Sequence, residues 1–320
     1  MAQDEDLPNY LSTPRRFIEL IATKGYKNLK LTEAFFNYLR EMGVIRVEND
    51  QYIWESPSAS SSAKGKTVIE SEALSQREVQ KRAMPLFSIL RKYSERLPKV
   101  MKGNLGEKEK ELIIWDSLHV TDLYQWLRDQ AIKYGQIPPD SIILDVNCRT
   151  GWSTIDLIRN TAPRRVIAMD PDEAMIELAY NNIVAYDYQE KVQLVVADVI
   201  DKIELSGKVD VIFANLLFNR FEDNQLTDIL FNIQPLLKKG GIFCGLQPIK
   251  ANENVDGAEL LLYSDPEFKG YPTFPAFITA FERSGFTELK IDKSMFFKAR
   301  IGGESISDMK KEGQRLKVTK

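Results

Sequence analysis

Histidine and cysteine are nearly missing from this chain: its 320 residues include one histidine, His119, and two cysteines, Cys148 and Cys244. So few scattered ligands cannot assemble a standard zinc site, and two unclustered thiols do not make a disulfide framework. A nucleophilic Cys148 would need an activating base, and there is no second histidine to supply one, so it is read as a small turn residue. Long apolar runs are absent too, and no segment approaches the length of a membrane span. The formal charge of -3 demands neither nucleic acid nor a membrane surface. The opening MAQDEDLPNY is acidic and polar, unlike a secretory signal. These absences leave a reduced, cytoplasmic protein as the expectation, long enough for one large domain and a smaller one.

What is present is organised around residues 141–160, SIILDVNCRTGWSTIDLIRN. Ile142, Ile143 and Leu144 form a short apolar run ending in Asp145, as a parallel strand buried on both faces should. Gly151 and Ser153 then offer a helix start, and Ile155, Leu157 and Ile158 give that helix an apolar side. Small-molecule sites in open parallel sheets lie at the carboxyl ends of such strands.

Upstream, two helical segments are expected, one around Phe17 to Ile21 and one over 31–42, with Thr32 as a possible cap and Gly43 as the stop. Residues 44–54 then alternate around Asn49 and Asp50 as a two-stranded ribbon. A helix followed by such a wing predicts a winged-helix-like unit over 1–60. A nucleic-acid role is not expected of it, because 31–42 carries Arg40 against Glu33 and Glu41. The serine-rich 56–66 reads as a flexible connection. A helical connector follows to residue 136, with Val79, Ala83, Leu86, Leu90, Tyr93 and Leu97 on one stripe, Pro85 as a start or kink, and a second helix over 120–134. His119 precedes that second helix and reads as a structural histidine. From 137 to 300 strands and helices alternate, which predicts a mostly parallel α/β sheet with helices on both sides and an antiparallel hairpin at one edge. The basic residues Lys310, Lys311, Arg315, Lys317 and Lys320 mark 301–320 as a solvated tail.

Asp145 and the following Asn147, Arg149 and Gly151 occupy the frame of an acidic strand end followed by G-x-G-x-G, with the last glycine kept. Asp170 ends the next strand, Met175, Ile176 and Ala179 follow it, and Asp198 ends the third. In this order the segment resembles the class I S-adenosylmethionine (SAM)-dependent methyltransferases, whose fold is Rossmann-like. The resemblance implies SAM as cofactor, with Asp145, Asn147, Arg149, Gly151, Asp170, Pro171, Met175, Asp198, Val199 and Asn215 around it. Asp170 would take the ribose hydroxyls, Asp198 the adenine amino group and Asn215 the methyl end. Arg149 would either pair with the methionine carboxylate or fill the site. An NAD site is the rival, but G-x-G-x-x-G is missing. The N-terminal part is similar to that of the plant-type and hydroxyindole-type small-molecule O-methyltransferases, which implies a homodimer through the N-terminal helical region.

In those O-methyltransferases a histidine shortly after the fourth strand is the general base, and Asn219 stands at that position here. A neutral amide takes up no proton at ordinary pH. Glu222 or Asp223 would serve instead, or the acceptor needs no base, or catalysis has been lost. The expectation is therefore methyl transfer to a small-molecule acceptor, O-methylation first. The alternative is an inactive methyltransferase-fold protein acting as a ligand-binding regulator or dimeric scaffold. The aromatic residues within 247–274, among them Tyr263, Phe268 and Tyr271, suit an apolar or aromatic acceptor.

Overall fold

The apolar runs that follow residue 141 pair into a seven-stranded sheet. A computed structural model of the chain describes residues 5–55, 76–104, 116–201, 203, 205, 208–251, 257–265 and 267–301. The expected serine-rich connection at 56–66 lies outside these residues, as does 302–320 of the expected tail. Two units separate: residues 1–114 with 253–268, and residues 115–252 with 269–320.

The first unit contains β1 (Arg15–Arg16), α1 (Phe17–Lys24), α2 (Leu29–Glu41), β2 (Ile45–Glu48), β3 (Gln51–Trp54) and α3 (Gln76–Met101). Its strands pair antiparallel in the order β1-β3-β2, and Asn49 and Asp50 make the hairpin turn with φ of 50° and 60°. Both residue types tolerate that left-handed geometry. Phe36 is fully buried between Phe17 and Tyr52, with ring centroids 6.1 and 5.6 Å away. The cap of α2 is Asn28, whose side chain accepts from the Leu31 amide at 3.1 Å, rather than Thr32. Thr32 lies a turn inside the helix, so its hydroxyl bonds back to the Asn28 carbonyl. The backbone of α3 is helical from Gln76, upstream of Pro85. The short helix Gly257–Leu262 belongs to this unit and packs on α2 and α3.

The second unit runs α4 (Asp122–Gly135), β4 (Ile142–Val146), α5 (Trp152–Thr161), β5 (Arg165–Asp170), α6 (Glu173–Ala185), β6 (Val192–Val196), β7 (Val209–Asn215), α7 (Leu226–Ile233), β8 (Leu237–Leu246), α8 (Phe274–Arg283), β9 (Glu288–Asp292) and β10 (Phe296–Arg300). The strand order is β6-β5-β4-β7-β8-β10-β9, with the first five parallel and β10 antiparallel to both its neighbours. Alternate residues feed two cores. Leu144, Val146, Ile212, Ala214 and Phe243 pack with α7 and α8, while Ile143, Val211, Phe213 and Cys244 pack with α4 and α5. Burial on both faces explains the continuous apolar runs.

α7 ends at Ile233 and tightens into the 3-10 turn Gln234–Leu236, because Pro235 has no amide to continue the ladder. β8 starts at Leu237 and runs through Lys238-Lys239-Gly240-Gly241, pairing the buried Leu237 with Val209. Farther along β8, Gly245 has no alternative: a Cβ there would lie 1.9 Å from the Ala214 carbonyl oxygen. That close approach sets β7 and β8 together just before Asn215 and Gln247, where the functional edge begins.

Candidate active site

β4 ends at Val146, and the chain then turns through Asn147, Arg149 and Gly151 with φ of 62°, 51° and 84°. All three glycine positions of the expected frame are left-handed, although glycine fills only the last. Asn adopts this geometry readily, whereas Arg149 does so at a cost of about 1–2 kcal/mol. Tertiary bonds hold the turn. The Cys148 amide donates to the Met169 carbonyl at 3.0 Å, the Arg149 amide to Asp170 Oδ2 at 3.1 Å, and Asn147 Nδ2 to the Asn215 carbonyl at 3.1 Å. Gly151 faces α6, where a Cβ would come within 3.1 Å of Ala179.

Asp145 is enclosed beneath this turn. Its Oδ2 accepts from the Ser153 and Thr154 hydroxyls at 2.7 and 2.6 Å, at the start of α5, and Oδ1 has no partner among the described residues. Asp145, expected beside the cofactor, has zero exposure here and ties loop to helix through these two bonds. Burial pushes its carboxyl up to about 7, although the two hydroxyls oppose the shift. The folded state therefore holds a proton that the unfolded chain releases near 4, so this carboxyl makes stability fall as pH rises from about 4 to about 7. Asp145→Asn is expected to flatten that slope in urea midpoints measured across the window, and an unchanged slope would show that another group causes it.

Asp170 is also fully buried. Its Oδ1 accepts from the Asp172 amide at 3.0 Å and its Oδ2 from the Arg149 amide, while Arg149 Nη1 stands 4.0 Å from Oδ1. Burial raises the carboxyl, and the Arg149 charge works against this. Of the two sequence-based readings of Arg149, the geometry supports filling: the guanidinium lies against the carboxylate expected to take a ribose. Asp172 caps α6 by accepting from the Ala174 amide at 3.0 Å, and Pro171 stands between the two aspartates.

Asp198 follows β6, and its Oδ2 accepts from Arg220 Nη2 at 3.2 Å. Arg220 Nη1 also reaches Asn147 Oδ1 at 3.4 Å, so one side chain spans the ends of β4, β6 and β7. A cavity of about 260 Å³ opens beside Asp198, lined by Leu144, Ile167, Met169, Val195 and Ala197 among others. The side chain of Val199 is 2% exposed and packs in the α7 and α8 core, and its carbonyl accepts from Asn232 Nδ2. Met175 is buried on α6. Asn215 is buried at the end of β7, with Oδ1 unpartnered among the described residues.

Asn219 sits in the 3-10 turn Leu217–Arg220, where its Oδ1 accepts from Gln247 Nε2 at 2.6 Å. Glu222 is exposed and caps the next turn, its amide donating to Gln225 Oε1 at 3.0 Å. Asp223 accepts from the Thr273 hydroxyl at 2.6 Å. His119 is buried, and desolvation together with the Arg128 and Arg149 charges lowers its pKa well below the usual range, leaving it neutral.

Sequence patterning did not single out Arg220, Gln247 or the Arg128–Asp156 pair. Arg128 falls on the buried side of α4, three and four residues before Ala131 and Ile132, and a cation within such an apolar stripe was the available signal.

Residues 143–241 match the family described as methyltransferase domain. The fold is that of the class I methyltransferases. Across 92% of this chain and 88% of the other, it superposes on the CurJ carbon methyltransferase with a TM-score of 0.66 at 16% identity. The S-adenosylhomocysteine (SAH)-bound CalO1 methyltransferase of calicheamicin biosynthesis gives 0.51 at 14% identity over 94% and 92%. A carboxy-S-adenosyl-L-methionine synthase of Shewanella woodyi (strain ATCC 51908 / MS32) is 32% identical over 123 residues, 38% of this chain and 49% of that protein. The chain thus spans about half the length of the curated relatives it matches. The family match and the SAH-bound neighbour support S-adenosyl-L-methionine as the cofactor. The acceptors at this strand edge, the Asp170 and Asp198 carboxylates with Asn215 Oδ1 unpartnered among the described residues, fit the hydroxyl and amino donors of that group, with Arg149 4.0 Å from Asp170. Among the described residues, no helix is long and apolar enough to cross a membrane.

Proposed function

We propose that this chain is a SAM-dependent methyltransferase for a small-molecule acceptor. The observation that carries the reading is the strand-edge constellation: a turn with three left-handed positions, followed by the carboxylates of Asp170 and Asp198 at the ends of the next two strands. Asp170 would take the ribose hydroxyls. Asp198, which lines the cavity, would take the adenine amino group. Asn147, Gly151 and Pro171 would shape the turn around the nucleoside, with Met175 behind it and Asn215 toward the methionine end.

When bound, the cofactor supplies a methyl group on a positively charged sulfur, an already good leaving group. The protein's part is then alignment and exclusion of water, worth several kcal/mol of barrier lowering. Asn219 orients the acceptor and takes no proton from it. Glu222 is solvent-exposed and capping, so the acceptor arrives with its nucleophilic electron pair already free. O-methylation fits this site when the oxygen is ionised in solution. The N-terminal unit would serve as the winged-helix-like dimerisation element of a cytoplasmic homodimer.

Calorimetric titration with SAM and SAH tests the reading. Binding of either is expected, and Asp170→Ala should weaken it by about tenfold or more, the loss typical of charge-assisted hydrogen bonds. No detectable binding by either would favour the second reading, an inactive methyltransferase-fold regulator or scaffold. That reading is favoured by one observation, the Arg149 guanidinium beside Asp170.

A further inference from the structure

The buried amides behind the β7 edge have a defined polarity. Gln247 has zero exposure, and its Oε1 accepts from the Phe218 backbone amide at 3.0 Å. A backbone amide can only donate, so the oxygen of Gln247 faces it and the nitrogen must point the other way. That nitrogen donates to the Pro248 carbonyl at 3.0 Å and to the Asn219 side chain at 2.6 Å. The atom of Asn219 receiving this bond is therefore its oxygen. Its NH2 group faces away from Gln247, is not enclosed, and donates to nothing among the described residues. The Asn219 backbone is pinned as well, its carbonyl accepting from the Lys269 amide at 2.6 Å. The next residue, Arg220, reaches Asn147 and Asp198, which places this turn at the edge where the β4 loop lies.

We propose that Gln247 fixes Asn219 as a pure hydrogen-bond donor to the acceptor substrate, and that the acceptor is a small carboxylic acid whose carboxylate oxygen Asn219 holds. The proposal rests on the methyltransferase reading of this edge. Two N–H donors match a carboxylate oxygen, which accepts more strongly than a neutral group. They oppose an amine, whose own donors would face them. They also oppose a hydroxyl that must shed its proton, because nothing at Asn219 can receive it. Asn219 is then a binding residue for the acceptor, and Gln247 is a positioning residue acting through it.

Nitrogen-15 spectra of the full-length protein test the proposal directly, with the Asn219 side-chain signal identified by its loss in Asn219→Asp. Acetate, malonate and benzoate are titrated against benzyl alcohol and benzylamine, with and without SAH. At least one carboxylate is expected to shift the Asn219 NH2 signal saturably, while the alcohol and the amine leave it in place. Gln247→Glu, compared at about pH 6 and about pH 9, should reverse the polarity once its buried carboxyl ionises, because the carboxylate then has no proton to donate and Asn219 turns its own NH2 toward it. Affinity for the responding carboxylate is expected to fall at least tenfold and that for benzylamine to rise. Asn219→Asp should invert the preference in the same direction, should Gln247→Glu fail to fold. The proposal is overturned by silence at Asn219 across all three carboxylates, by a larger response to the amine or alcohol, or by an unaltered preference in both variants. SAH binding followed separately distinguishes the two layers: no SAH binding with an intact carboxylate response would defeat the cofactor reading and leave the donor assignment standing.

Discussion

Arg149→Gly is expected to tighten SAH binding by about tenfold or more, a gain of about 1.4 kcal/mol. The guanidinium is 7% exposed and lies 4.0 Å from Asp170 Oδ1, against the carboxylate to which a ribose would be held. A bound nucleoside must therefore displace it, and parting a buried cation from its anion costs free energy before any new bond forms. Glycine removes the obstacle and keeps the turn, because φ of 51° is left-handed geometry that glycine adopts without strain. Asp170 keeps its two backbone donors, from Arg149 and Asp172, so the site retains its anion-holding geometry when the side chain is lost. Calorimetric titration of the variant beside the native chain reads the difference. Weaker binding would mean that the guanidinium contacts the ligand, which would return it to the role of partner for the methionine carboxylate.

Arg128→Ala should cost about 3 kcal/mol or more of stability, seen as a lowered urea midpoint. Arg128 is 1% exposed, its Nε donating to Asp156 Oδ2 at 2.7 Å and its Nη1 to the His119 carbonyl at 2.8 Å. It thereby fastens α4 to α5 and to the segment before α4. Removing the cation leaves Asp156, also 1% exposed, facing a gap with the partly exposed Arg159 at 3.6 Å as its remaining charge partner. Breaking one side of a buried pair typically costs 3–5 kcal/mol, whereas replacing both partners with apolar groups is often close to neutral. The double variant Arg128→Met with Asp156→Leu should accordingly recover most of the loss. If the single and double variants were equally unstable, packing volume rather than the stranded charge would be responsible.

Much of the second unit could be read before any coordinates. The apolar run to Asp145, the helix start at Gly151 and Ser153 and the alternation from 137 to 300 are local patterns, and each expresses the period or the end of a strand or a helix. Asp170 was legible for the same reason, being an acidic residue at a strand end. Local pattern did not give the partners of these residues. The Ser153 and Thr154 hydroxyls on Asp145 and the packing of Val199 beneath α7 and α8 are set by the folded chain.

The sequence by itself therefore determined the element order, the parallel sheet and the acidic strand ends, because hydrophobic periodicity and strand-end chemistry act over a few residues. Tertiary structure decided what those ends do. It brought Arg149 against Asp170, Arg220 across to Asp198 and Gln247 behind Asn219, pairs separated by 21 to 28 positions. Whether a charge or an amide faces a ligand or a neighbour depends on which partner the folded chain puts within hydrogen-bond distance, and no local spacing encodes that.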